Sequence, residues 1–248
     1  MASEEVNPQN VTETGAFGRV VGALVSPRPT FESIARKPTW LLPLLLLLAI
    51  NLVLIFSFSH RIGWRGIIEK QLANNSQFQQ LSPAEQQQRI ARALKIAPML
   101  GYLGGTVGNV IVVLIIAGIF LAAFNVVFGG GIGFRQSLGI TTHSFMPGIL
   151  KGLIGLVVVW VRPPEGVNLQ NLVMSNVGAF LLAGEPLWLQ TLSSSLDLFV
   201  FWIIALLAIG YTAASSSRKV KFGSALAVVV VIWLVFLLGW VGVLAAIG

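Results

Sequence analysis

Long uncharged apolar stretches alternate with short polar ones along this chain. Thr39 to Ser59 carries no charge and, at about 1.5 Å per helical residue, is just long enough to cross about 30 Å of hydrocarbon. Gly104 to Phe128 is uncharged throughout, and Gln136 to Val161 is apolar except for His143 and Lys151. Leu196 to Ala214 has Asp197 at its start, and Gly223 to Gly248 is uncharged. The pattern predicts an all-α polytopic membrane helical bundle with about five transmembrane helices and termini on opposite sides. Amphipathic interfacial helices are expected before span one and in the two longer loops, 60–97 and 162–195. Residues 1–16 read as a disordered tail and 17–248 as one five-span membrane domain.

The polar stretches carry their own signals. Phe17 to Lys37 alternates apolar and basic residues and is broken by Ser26-Pro27-Arg28-Pro29, after which Thr30 is the expected N-cap of a short helix with Phe31 and Ile34 on one side. Ser82-Pro83-Ala84-Glu85 is a helix start: serine caps, proline fills a position whose N–H is unbonded anyway, and Glu85 completes a capping box. That helix should end by Pro98. Asn168 to Ala183 is apolar but too short to cross, and is expected to lie in the interface or re-enter the bilayer. Gly129-Gly130-Gly131-Ile132-Gly133 lacks the Lys-Ser/Thr of a phosphate loop and reads as a tight turn.

Composition sharpens this reading. Of 248 residues 55% are hydrophobic and only 10% charged, too few to cover a water-soluble globule of this size. The net charge of +7 sits beside apolar runs, which suits orientation in a bilayer and contact with anionic headgroups, and not nucleic acid. With no cysteine and only His60 and His143, thiolate and three-histidine metal sites are excluded, and no metal or cofactor is expected. The early residues Glu4, Glu5, Glu13 and Glu32 do not form a cleavable signal, so the run from Trp40 is expected to act as an uncleaved anchor. Arg36 and Lys37 before span one, and Arg218, Lys219 and Lys221 between spans four and five, place the N-terminus in the cytoplasm by the positive-inside rule. Arg61, Arg65, Lys70, Arg89, Arg92 and Lys95 in the first loop argue the other way.

Lys151 is the most expensive residue for a membrane, costing roughly 2.5–3.5 kcal/mol at a helix centre. It either pairs with Asp197 in an internal polar site or snorkels to the headgroups. Thr141-Thr142-His143-Ser144-Phe145-Met146-Pro147-Gly148 is unusually polar, and Pro147 frees the His143 carbonyl, so the helix should bend there. Lys151, Asp197, His143 and Pro147 are therefore the candidate intramembrane polar site. A Ser144–His143–Asp197 hydrolase is disfavoured, because adjacent helical residues point about 100° apart and no nucleophile elbow is present. Gly101, Gly104, Gly105, Gly108, Gly148 and Gly152, at four-residue spacings, are expected to pack helices closely.

Taken in order, these features resemble the Yip-one domain family (Ypt-interacting proteins), and its bacterial members in particular. The resemblance rests on Ser26-Pro27 and Thr30-Phe31-Glu32-Ser33-Ile34 before span one, the capped helix after Ser82 and Pro147. It rests most on Asp197, Phe199 and Trp202 opening span four, with Gly210 further along. It implies five spans, a cytoplasmic N-terminus and no established catalysis. Eukaryotic members resemble adaptors that bind Rab-type GTPases, but the Asp-Leu-Tyr-Gly-Pro motif is missing here, so GTPase binding is not carried over. The expected function is a non-enzymatic membrane scaffold or interaction protein of the bacterial cytoplasmic (inner) membrane, with anionic lipid and an unidentified protein as partners. The alternative is a small transporter or channel using a polar path around Lys151, Asp197 and His143.

Overall fold

Two prolines set the start of the structure. Pro27 and Pro29 both fit the first turn of a helix, where a missing N–H leaves no bond unmade. In the computed structural model, which describes residues 15–73, 75–169, 171–181, 185–216 and 220–247, α1 is Ala16–Val25 and α2 is Pro27–Arg36. The expected tail lies outside these residues up to position 14, as do Arg218 and Lys219. Ser26, not Thr30, occupies the cap position of α2. Thr30 is a first-turn residue whose hydroxyl donates to the Ser26 carbonyl at 2.8 Å.

The membrane part begins with α3, Leu41–Arg61. Three polar helices follow: α4 (Gly63–Leu72), α5 (Ser76–Gln79) and α6 (Pro83–Leu103). The box at the start of α6 is closed, with Ser82 N–H donating to Glu85 Oε2 at 2.9 Å and Glu85 N–H donating to Ser82 Oγ at 3.4 Å. Ile68, Phe78 and Ile90 give these three helices a small core of their own. The helix does not end at Pro98. It runs on through a π-helical turn, Gly104–Gly108, into α7 (Asn109–Phe128). A proline inside a helix removes one hydrogen bond and costs about 3 kcal/mol, which the apolar span beyond it and the packing of α6 on α4 offset.

Gly129 and Gly131, with φ of +62° and +64°, then turn the chain into α8 (Phe134–Ser144). The Asn125 amide holds the turn by bonding both the N–H and the carbonyl of Ile132 at 2.9 Å. The α8 ladder stops at Phe145, and α9 (Met146–Val161) starts afresh with Pro147 in its first turn. After the segment 162–186 come α10 (Leu187–Ser195), α11 (Leu198–Ala214) and α12 (Phe222–Ile247).

Among the described residues, four stretches are long and apolar enough to cross a membrane: Leu41–Arg61, Pro83–Phe128, Phe134–Val161 and Phe222–Ala246. α11 is apolar but only 17 residues long. Both α10 and α11 pack along α12, so the fourth passage of the chain is made of two short helices in succession, interrupted at Leu196–Asp197. The helix of the 162–195 loop is α10, ahead of Leu196 where the fourth span is expected to begin. In the apolar piece Asn168–Ala183, of which Gln170, Leu182 and Ala183 lie outside the described residues, Asn168 accepts from Asn171 N–H and Asn176 from Ala179 N–H, local bonds that compete with a helix.

α11 is the centre of the bundle. It packs on α2, α8, α9 and α12, and Leu206, Leu207 and Tyr211 join Phe31 and Ile34 of α2, Phe124 of α7, Ile140 of α8 and Val229 of α12 in one core. Phe31 and Ile34 are thus buried in protein. Among the expected packing glycines, a Cβ at Gly101 would meet Trp64, one at Gly105 would meet Ile55, and one at Gly152 would lie 2.7 Å from Ile50 Cγ1. At Gly104 and Gly148 it would meet nothing within 4 Å, and at Gly108 only the Leu103 carbonyl at 3.7 Å, so these three do not make close helix approaches.

Gly210 is the tightest crossing on α11. A Cβ there would collide with Ile140 Cγ2 and lie 3.0 Å from the Phe31 ring. Gly210→Val is expected to destabilise the protein by about 1–3 kcal/mol through overpacking, with Gly104→Ala, in open space, close to neutral. Unfolding of the purified chain in detergent measures both.

Candidate functional site

The interruption of the fourth passage leaves a helix start that needs partners, and Asp197 supplies them. Its backbone is extended, and its Oδ1 accepts from Phe199 N–H at 2.8 Å and Val200 N–H at 3.4 Å, the geometry of an N-cap. Its Oδ2 accepts from Lys151 Nζ at 2.8 Å and from Ser175 Oγ at 2.6 Å. Asp197 is 0% exposed and the Lys151 side chain 35%. A carboxylate with four donors, one of them a cation, is a saturated acceptor. It fixes structure and has no oxygen left for a substrate.

Ser175 reaches Asp197 because its segment runs back along α9. Leu172 lies where a Cβ on Gly155 would touch it, at 2.7 Å, and Asn176 pairs with Asp197 as an isolated antiparallel bridge. Lys151 is about 15 Å along α9 from Val161 at about 1.5 Å per residue. The chain after α9 therefore folds back about that far beside its own helix before α10 and α11 resume the passage.

A second polar group lies on α8, whose residues Ser137 to Ser144 are all buried. Ser137 Oγ donates to the Ala117 carbonyl of α7 at 2.6 Å, so the Tyr211 hydroxyl, 2.5 Å away on α11, must donate to Ser137. Three helices are joined by two hydroxyls. Tyr211 also stacks on Phe124 with ring centroids 4.5 Å apart.

His143 is not brought to Lys151 and Asp197. It precedes Lys151 by about 12 Å of helix, and its Nδ1 donates to the Gly139 carbonyl at 2.8 Å. The α8 helix also packs on α1, which carries Arg19. Arg19 is itself buried and donates through Nη1 to the Lys37 carbonyl at 2.7 Å. Arg19 Nε, His143 Nε2 and Ser144 Oγ have no partner among the described residues. Pro147 sits beside this group in the first turn of α9.

Residues 21–243 match the Yip1 domain, nearly the whole chain. The chain belongs to the Yip1 domain family. No curated protein and no solved structure matches it. In this Yip1-domain chain, the Ser82 cap and Pro147 lie on α6 and α9, while several other residues that carried the resemblance gather at the two ends of α11. Asp197 and Phe199 form its capped start, and Trp202 packs half-buried against the core. Near the other end, Gly210 receives the ring of Phe31 from α2, whose first residue is Pro27.

Sequence reasoning did not find Ser175, Ser137, Tyr211 or Arg19. Tyr211 left a signal, as one of only two tyrosines and lying in an apolar run. Ser175 and Arg19 left none, because their partners are far away in sequence.

The Lys151–Asp197 contact gives a thermodynamic test. Asp197→Ala removes both cap and counter-ion and is expected to cost about 3 kcal/mol, the low end for a buried pair because Lys151 is partly exposed. Lys151→Met leaves a fully buried carboxylate without its counter-ion and is expected to cost a similar amount, about 3 kcal/mol. The double variant should be more stable than the sum of the single losses implies, as read by thermal unfolding in nanodiscs.

Proposed function

We propose that this Yip1-domain protein is a non-enzymatic membrane scaffold. Its helical bundle holds a basic helical hairpin, α1–α2, at the surface of the bacterial cytoplasmic membrane, with the N-terminus on the cytoplasmic side. The observation that carries this reading is the two-faced character of α1. Arg19, Val20 and Ala23 pack into the bundle, while Phe17 (69% exposed), Val21 (42%) and Val25 (73%) form a stripe at four-residue spacing on the other side. Such a stripe suits burial at the boundary of headgroups and acyl chains. Exposed Arg28 and Arg36 lie on α2, available to anionic lipid or an acidic partner.

The opposing basic loop fits this orientation once its contacts are considered. Arg61 donates to the carbonyls of Trp160 and Arg162 at the end of α9, at 3.3 and 3.1 Å. Lys70 Nζ donates to the Glu165 and Val167 carbonyls at 2.9 and 3.0 Å, and Arg65 pairs with Glu69 at 3.2 Å. These three cations serve the fold, while Arg89, Arg92 and Lys95 stay exposed on α6, and the short flanking segments are what supports a cytoplasmic N-terminus. Against catalysis stands the saturated Asp197.

The unpartnered Arg19 Nε, His143 Nε2 and Ser144 Oγ beside the α8–α9 interruption favour the second reading, a small transporter. Two measurements separate the readings. The chain has no cysteine, so Val21→Cys gives a single labelling site. A fluorophore there should be quenched by lipids spin-labelled near the headgroup and shielded from aqueous iodide. Quenching by iodide alone would remove the surface reading. In proteoliposomes the parent, Lys151→Ala and Asp197→Asn should pass no more ion or solute than empty vesicles. Parent flux lost in either variant would establish the transporter instead.

A further inference from the structure

Between α2 and the α11–α12 junction lies a groove of about 760 Å³, lined by Arg28, Glu32, Ile209, Thr212, Ala213, Lys221 and Phe222. Its composition changes along its length. Ile209, Thr212 and Ala213 belong to the last turns of α11, and the Thr212 hydroxyl is already turned back onto the Ala208 carbonyl at 2.7 Å, so this wall presents little free polarity. Phe222, the first residue of α12, stands 46% exposed at the edge. The basic groups sit where the helices end, on α2 and in the connection before α12.

Charge follows the same gradient. Lys221 makes no ion pair among the described residues, and Arg28 makes only an exposed contact with Glu32 at 3.6 Å. An exposed pair at that spacing is weak and easily exchanged. Two cations against one carboxylate leave the rim net positive, next to an apolar wall on a helix of the membrane bundle. A soluble anion would use the rim and have no use for the wall. A phospholipid uses both, and basic pockets between membrane helices are where anionic headgroups settle.

We propose that this groove is a binding site for one anionic phospholipid, its phosphate between Arg28 and Lys221 and an acyl chain along Ile209 and Ala213. The proposal rests on the surface placement of α1–α2 argued above and adds a defined headgroup position to it. Glu32 then acts against binding by holding Arg28, which makes it a tuning residue.

The test uses the full chain in detergent, with native mass spectrometry counting retained lipid from mixtures of phosphatidylglycerol and phosphatidylcholine. The parent should retain phosphatidylglycerol selectively. Arg28→Gln with Lys221→Gln should lower that retention by about tenfold, while the equal charge change Arg92→Gln with Lys95→Gln on α6 should leave it alone. Glu32→Gln should raise retention, a gain that misfolding cannot imitate. Unchanged retention in the Arg28/Lys221 variant, or equal loss in the α6 variant, would overturn the site. So would displacement by glycerol 3-phosphate at the concentration at which the lipid binds, which would make it a site for a free phosphate. If the Val21 label shows no lipid contact while the selective retention persists, the surface reading of α1 falls and the groove stands. The converse pair of results removes the groove alone.

Discussion

A 17-residue helix spans about 25 Å, less than the hydrocarbon it must help to cross. The start of α11 therefore lies within the bundle, where water cannot satisfy its free amides and each unmade bond costs several kcal/mol. Most of the architecture follows from that deficit. Asp197 caps the amides, Lys151 neutralises the carboxylate, and the segment after α9 folds back to bring Ser175 to the same oxygen. α10 then supplies the missing length along α12. Lys151, so costly for a membrane helix when taken alone, is the counter-ion that makes a buried cap tolerable.

The other end of α11 is constrained by packing and not by charge. With no side chain at Gly210, α2 can lay Phe31 against the helix backbone, and Ile140 of α8 closes the same gap. A segment that precedes the first span thus becomes part of the core. Tyr211, one residue on, adds the hydroxyl link through Ser137 to α7. Fixing α2 this way also fixes α1, through the short joint at Ser26, and turns its Phe17–Val25 stripe outward. The surface feature on which a scaffold reading depends is set by an internal glycine.

The sequence made the spans legible because charge is excluded from hydrocarbon over whole stretches, a signal that needs no partner. It also disclosed the Ser82–Glu85 box, the bend before Pro147 and the family, since each is written in adjacent residues. The break at Leu196–Asp197 was hidden. In the sequence Asp197 reads as the margin of a span, and only the return of Ser175, from the segment before α10, shows the two helices to be one passage. Pro98 misled for the opposite reason: the local rule against proline is real, but the packing of α6 on α4 and its continuity with an apolar span outweigh it. Gly148 and Gly152 have the same spacing signature, yet only Gly152 meets another helix, because spacing defines a face and says nothing of what lies opposite.

Charge counting has the same weakness, and the contacts correct it. A basic residue biases orientation through its own free energy near lipid and water, so a cation already bonded to helix-terminal carbonyls is a poor witness. Arg61 caps α9 and stacks 5.4 Å over the Trp160 ring, Lys70 holds the 165–167 turn, and Arg65 is shared between Glu69 and Gln87. At the opposite end Arg28 and Lys221 face a groove with one weak carboxylate between them. The two ends of the bundle carry similar numbers of basic residues, and Arg89 of α6 also lines a largely apolar groove with Trp64 and Leu100, but at the α2 end two cations, Arg28 and Lys221, meet at one groove. On the reading proposed above, that pairing of cations at one groove, more than any asymmetry of number, suits this end to an anionic membrane surface.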